Sequence, residues 1–295
     1  MRTLASKQNV IIAGCTFLVL FADVTAHAQS AARCADLAHL KIVPAEIGLP
    51  SGGATISSAE IATVSADPKT PEATREFCKV LGAIAPVDPN APPVNFQVNL
   101  PLQWNGKAVQ YGGSGYNGVL ITGLAPLRDA RPDTPVPVAR GYATWGTDSG
   151  HEEKKLAEIF SFALNDESLV NFAYASYKKT RDAARLITEA FYARIPEKLY
   201  FYGGSEGGRE GLAMAQRFPN DYDGIVSAVP VINFVGLTVA GNRHGIFQLN
   251  GGWLNPAKVT LLRKAAIAAC DSLDGLADGI VSAYQRCVEK FCLGG

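Results

Sequence analysis

Ser205 stands in Gly203-Gly204-Ser205-Glu206-Gly207, which fits the pattern G-x-S-x-G. A serine hydroxyl works as a nucleophile when a sharp turn presents it beyond a sheet and an imidazole takes its proton. Such a turn needs very small neighbours, because the backbone on either side passes too close for side chains. The N–H of the next residue, Glu206, then points to where an attacked ester oxygen gains negative charge. A glycine-rich turn with an incidental serine would read the same over five residues. The flanks favour the nucleophile: Leu199-Tyr200-Phe201-Tyr202 reads as a buried strand, and Leu212, Ala215 and Gln216 fall at helical spacing.

A second glycine-rich stretch, Gly112-Gly113-Ser114-Gly115-Tyr116-Asn117-Gly118, follows a strand expected over Lys107 to Tyr111. So many glycines let a backbone pass close to a guest, and a carbonyl oxygen is a suitable one. In an α/β-hydrolase the second oxyanion N–H comes from a loop at this place. The sequence does not single out the donor, and Gly115 is the favoured one. A base for Ser205 is harder to find. His151 precedes the serine, whereas the α/β-hydrolase order is serine, acid, histidine, so it reads as a structural histidine at a strand end. His39 falls in an N-terminal extension, and His244 follows Ser205 too soon to lie beyond an acid-bearing strand.

Cys270 to Ile280 (CDSLDGLADGI) carries Asp271, Asp274 and Asp278, with glycines after two of them. Three carboxylates and the carbonyls between them can curl round one hard cation, which suits calcium, although the spacing is not that of an EF-hand. A solvated acidic loop is the competing reading. No cysteine pair has the spacing of a zinc site. Once Cys15 is set aside, five cysteines remain, and the simplest pairing joins Cys34 to Cys78 and Cys270 to Cys287, leaving Cys292 alone. Spacing alone leaves the connectivity open.

The elements that must position these groups follow from periodicity. Phe96, Val98 and Leu100 alternate as in a strand that opens the core at Val94, and Val136 to Thr147 gives another. Asp182 to Arg194 places Ala183, Leu186, Ile187, Ala190 and Phe191 on one helical face, and Tyr222 to Pro230 reads as the strand after the serine helix. Strands alternating with helices imply an α/β fold with a mostly parallel sheet. Four regions are expected: a secretory signal over 1–28, an extension over 29–93, the core over 94–231, and a further domain from 232 to 295. The signal rests on Arg2 and Lys7, the apolar run Val10 to Ala22 and the small-x-small site Ala26-His27-Ala28. In the extension a helix is one reading of Pro71 to Leu81. In the last region Leu254 to Ala269 reads as an amphipathic helix behind Asn255-Pro256. Lysine plus arginine equals aspartate plus glutamate at 27 each, so nothing calls for nucleic acid or another polyanion. Past the signal no apolar run is long enough to span a membrane.

The block Gly203 to Pro230, with GGSEGGREG and AQRFPNDYDGIVSAVP, resembles the tannase and feruloyl esterase family. QYGGSGYNG at 110–118, TDSGH at 147–151 and the acidic loop support the resemblance. It implies a secreted serine esterase with an α/β-hydrolase core and an inserted lid domain that holds structural calcium. Ser205 would be the nucleophile, and N–H groups of Glu206 and of a glycine in 112–115 the oxyanion hole. Calcium would take the side chains of Asp271, Asp274 and Asp278 and the carbonyls of Leu276 and Ile280. Cys270 and Cys287 would form a lid disulfide. The substrate would be a small aromatic ester, with no redox or nucleotide cofactor. Two departures stand out. The family's cysteine before the serine, bonded to one beside the catalytic histidine, is Gly204 here. Its acid and histidine lie downstream of the lid, beyond Gly295, so the expectation is the N-terminal portion of a longer esterase. The alternative is an inactive relative persisting as a calcium-stabilised binding module.

Overall fold

Alternating and continuous apolar runs give eight strands among the described residues. These are β1 (Lys41–Ile42), β2 (Ala54–Asp67), β3 (Thr70–Ile84), β4 (Val94–Pro101), β5 (Lys107–Tyr111), β6 (Ala143–Thr147), β7 (Lys198–Gly204) and β8 (Gly224–Ala228). The structure, a computed structural model, describes residues 28–152 and 159–291. The expected signal up to Ala26-His27, with Cys15, and Cys292, expected to be left over from the pairing, lie outside the described residues. The helices are α1 (28–36), α2 (Asp166–Val170), α3 (Ser176–Tyr192), α4 (Glu206–Arg217), α5 (Phe234–Phe247), α6 (Pro256–Cys270) and α7 (Tyr284–Lys290).

All eight strands join one sheet in the order β1-β2-β3-β4-β6-β5-β7-β8. Pairing is antiparallel from β1 through β4 to β6 and parallel from β6 through β5 and β7 to β8. β5 and β6 are buried along nearly their whole length, as strands covered on both faces must be. α3 lies on one face of the sheet with Tyr177, Ala183, Ala184, Ile187 and Phe191 in the core. Ala190, expected on that face, is exposed, and Ala184 and Thr188 are buried instead. The chain divides into two compact units, one ending at Ile232 and the other beginning at Asn233. The second holds α5, α6 and α7, with Cys270 bonded to Cys287.

Two expectations about the first unit need correction. Pro71 to Leu81 is not helical but part of β3, which pairs with β2 on one side and β4 on the other. Its helix-forming residues Glu72, Ala73, Arg75 and Glu76 are overruled by two sets of strand hydrogen bonds and by the bond from Cys78 to Cys34. The strand expected over Val136 to Thr147 is only β6, because Pro137 to Arg140 forms a 3-10 turn that ends at Gly141 with φ 84°.

Both predicted disulfides are present. Cys34 in α1 and Cys78 in β3 are fully buried and 44 residues apart. Closing a loop of that length removes about 4 kcal/mol of unfolded-state entropy in the chain-entropy model. The Cys34→Ala/Cys78→Ala variant is therefore expected to lose about 2–4 kcal/mol of stability. Denaturant midpoints measure it, and an unchanged midpoint would refute the claim.

Candidate active site

β7 ends at Gly204 and α4 begins at Glu206, so Ser205 alone makes the turn between them. It does so at φ 60° and ψ −119°, a region that side chains with a Cβ almost never occupy. Holding serine there costs about 1–3 kcal/mol, which the surroundings must supply. The Ser205 N–H donates to the Ala228 carbonyl at 3.0 Å. Its own carbonyl accepts N–H groups from Gly208 at 3.0 Å, Arg209 at 3.2 Å and Val231 at 3.3 Å. Gly203 permits the bend, since a Cβ there would stand 2.1 Å from the Gly207 carbonyl oxygen. The Ser205 hydroxyl makes no hydrogen bond with any described residue, and Glu206 places its N–H at the start of α4, where negative charge is favoured.

The glycine loop after β5 presses against this turn. A Cβ on Gly112 would lie 2.8 Å from Gly207 Cα, and one on Gly207 would lie 2.7 Å from the Gly113 carbonyl oxygen. Within the loop, hydrogen bonds fix one peptide after another. The Gly112 N–H donates to the Tyr202 carbonyl at 2.9 Å, Gly113 N–H to Glu210 Oε2 at 2.7 Å, and Ser114 N–H to Asn117 Oδ1 at 3.1 Å. Asn117 N–H donates to the Ser114 carbonyl at 2.9 Å and Gly118 N–H to the Asp148 carbonyl at 3.3 Å. Gly115 differs: it sits at φ 59°, a Cβ there would meet nothing within 4 Å, and its N–H has no partner among the described residues.

His151 is buried, as a structural histidine would be. Its Nε2 lies 2.9 Å from the Tyr116 carbonyl oxygen, which can only accept, so Nε2 carries the proton. The ring packs against Phe162 and Phe172, which stack on one another. His244 lies on α5 in the second unit and is exposed. Gly204, where the resemblance leads one to expect cysteine, faces Arg128, whose Nη1 is 3.1 Å from where a Cβ would be.

Sequence reasoning missed the buried polar groups behind the site. Glu206 pairs with Arg209, Nε to Oε1 at 2.7 Å, and Arg209 also donates to the Ala173 and Phe172 carbonyls. Burial pushes the Glu206 carboxyl up against the pull of Arg209. Glu210 is buried completely and accepts from Gly113, Asn117 and Tyr177. Two glutamates four residues apart on the buried side of a helix were the available signal. Leu212, by contrast, is exposed, and the helix packs through Gly207, Gly208, Gly211 and Met214.

In the second unit the acidic loop folds back on itself. Asp271 Oδ1 accepts the Gly279 N–H at 2.9 Å, Asp274 accepts from Leu276 at 3.0 Å and Ser282 at 3.2 Å, and Asp278 accepts from Ile280 at 3.0 Å. The donors are all oxygen, as calcium requires. The carboxylates are turned to backbone amides, however, and no three acidic, histidine or cysteine side chains among the described residues converge as a metal site.

The family model for tannase and feruloyl esterase matches residues 78–293. An uncharacterized esterase of Agrobacterium fabrum is 40% identical over 286 residues, covering 96% of this chain and 51% of the relative. Mono(2-hydroxyethyl) terephthalate hydrolase of Piscinibacter sakaiensis is 33% identical over 238 residues, covering 73% and 39%. The chain thus spans about half the length, or less, of these relatives. Feruloyl esterase B from Aspergillus oryzae superposes with a TM-score of 0.66 at 25% identity, over 88% of this chain and 49% of that one. Tannin acyl hydrolase from Aspergillus niger, at 22% identity and a TM-score of 0.61, shares the fold, an α/β-hydrolase. By the extent of the family match, this chain belongs to the tannase and feruloyl esterase family.

Proposed function

We propose that the chain carries the nucleophile and the oxyanion-binding groups of a serine esterase acting on small aromatic carboxylic esters. The observation that carries this reading is Ser205, held at φ 60° on a strand-to-helix turn with a glycine loop pressed against it. A binding module has no use for such strain at a serine. In the reaction the Ser205 Oγ attacks the ester carbonyl as a histidine takes its proton. The N–H groups of Glu206 and Gly115 receive the oxyanion, the alcohol departs, and water then releases the acyl group. The histidine and its acid would come from outside these 295 residues, in keeping with a Ser205 hydroxyl that lacks any partner among the described ones. Relatives named as feruloyl esterase, terephthalate-monoester hydrolase and tannin acyl hydrolase support ferulate, terephthalate or gallate esters as substrates. The test is hydrolysis of methyl gallate, methyl ferulate and mono(2-hydroxyethyl) terephthalate by the gene's whole product and by its Ser205→Ala variant. Equal rates would overturn the reading.

The same missing partner favours a second reading for the 295 residues alone, an inactive binding module. Hydrolysis by this chain above its Ser205→Ala background would remove it. Export belongs to the proposal and is supported by two disulfides, which persist in oxidising compartments. Among the described residues no helix is long and apolar enough to cross a membrane. Structural calcium is proposed for Asp271, Asp274, Leu276, Asp278 and Ile280, supported by the all-oxygen donors of a loop that the Cys270–Cys287 bond encloses. Binding would require those carboxylates to exchange amide donors for the ion. Chelation is expected to lower Tm by several degrees, on the order of 1 kcal/mol of lost binding. An unchanged Tm would sink the site.

A further inference from the structure

Glu210 lies in α4 between one and two turns after Ser205, wholly buried, and no step of ester hydrolysis employs it. A carboxyl sealed from water persists only if its oxygens are satisfied. Both are. Oε2 accepts the Gly113 N–H at 2.7 Å, while Oε1 accepts Asn117 Nδ2 at 2.7 Å and the Tyr177 hydroxyl at 2.5 Å. Two of the three donors belong to the glycine loop and bracket Ser114 to Tyr116. Asn117 passes the restraint inward by accepting the Ser114 N–H. The peptides on the N-terminal side of Gly115 and the asparagine on its far side therefore trace back to one side chain on the serine's own helix. We propose that Glu210 is a positioning residue that sets where the loop holds the Gly115 N–H relative to Ser205, a role that rests on the serine-esterase reading above.

The three bonds need an acceptor-only group, which an ionised carboxylate is. A neutral carboxyl, or the amide of glutamine, turns one oxygen position into a donor that must face the Gly113 N–H or the pair Asn117 and Tyr177. Burial works the other way. It pushes the Glu210 carboxyl up to about 7, helped by the nearby Glu206 charge and opposed by the three hydrogen bonds. The charged and titratable groups facing it are Glu206 and Arg209 on its own helix and Tyr177 on α3, while the loop offers neutral donors. Its folded pKa lies above the unfolded value of about 4.5. The carboxyl's contribution to stability is therefore complete below that value and lost as pH rises through about 7. At alkaline pH the side chain holds the loop best and burdens the fold most.

That opposition separates positioning from mere support of the fold. Glu210→Gln, studied at pH 8 in the full chain, is expected to keep or raise Tm. Its kcat for methyl ferulate should fall about 10- to 100-fold at unchanged KM, the cost of a displaced oxyanion donor. Amide exchange at Gly113 or Ser114, followed by NMR in the 295-residue chain, should quicken at least about tenfold, because whichever way the glutamine amide turns one anchor of the loop is lost. Tm and kcat falling together would overturn the proposal, because a structural role does that. So would exchange and kcat both equal to the parent's. A parent without hydrolysis would sink the serine reading and the catalytic consequence with it, whereas the exchange rates would still decide whether Glu210 fastens the loop.

Discussion

Alanine at position 205 is expected to lower ester hydrolysis by the whole enzyme about 10⁴- to 10⁶-fold, with Tm hardly changed. The size follows from what the hydroxyl does. On the mechanism proposed above no acyl-enzyme would form without it, and the two N–H groups would only polarise an ester toward free water, which leaves a small residual rate. Stability answers to a different property of the same residue. Alanine keeps the Cβ that makes φ 60°, ψ −119° costly, so little is gained by the change. Glycine removes the Cβ, and Ser205→Gly should be as inactive as the alanine variant yet more stable by about 1–2 kcal/mol. Progress curves with methyl ferulate and calorimetric melting read the two effects. A Ser205→Ala enzyme retaining a tenth of parent activity would remove the serine from the mechanism, and a destabilised Ser205→Gly would remove the strain.

Gly203→Ala should cost the fold heavily. The added carbon would stand 2.1 Å from the Gly207 carbonyl oxygen and 2.4 Å from its carbon, and both are backbone. Relief would require opening the turn. Gly207 is itself wedged against Gly112 and Gly113, so the loop would move as well. The expected cost is about 3 kcal/mol or more, with hydrolysis falling alongside. Gly115→Ala provides the contrast, because its Cβ would meet nothing within 4 Å and only the positive φ is penalised, at roughly 1 kcal/mol. Denaturant midpoints compare the two. A Gly203→Ala variant within 1 kcal/mol of the parent, a bound set by the scatter among ordinary substitutions, would contradict the close approach.

The turn at Ser205 was legible because a local rule governs it: strand, small residues, serine, helix. β5 and β4 were legible for the same reason, each announcing itself in its own pattern. What escaped depends on partners far along the chain. Glu210 meets Gly113 across 97 residues and Asn117 across 93, and its local signal, a second glutamate four residues earlier, does not name those partners. Pro71 to Leu81 carries good helix formers and became strand because β2 and β4 flank it. α5 went unanticipated because, although Val235, Val239 and Ile246 share a face, Leu237 and Phe247 fall well away from it, so apolar residues ring the helix and blur its period.

The hairpin of β2 and β3 bears on how the chain assembles. Its two long strands meet across Pro68 and Lys69, where the Lys69 N–H donates to Asp67 Oδ1 at 2.8 Å, and β4 adds to the same ribbon after a short connection. Near-neighbour pairing carries little loop-closure entropy, so this ribbon can form before the later strands find their partners. β5 pairs only with β6 and β7, which follow it in the chain, and β7 and β8 join in parallel across the α4 crossover. Nucleation therefore falls to the antiparallel half, and the reactive bend matures last, on an edge already laid down.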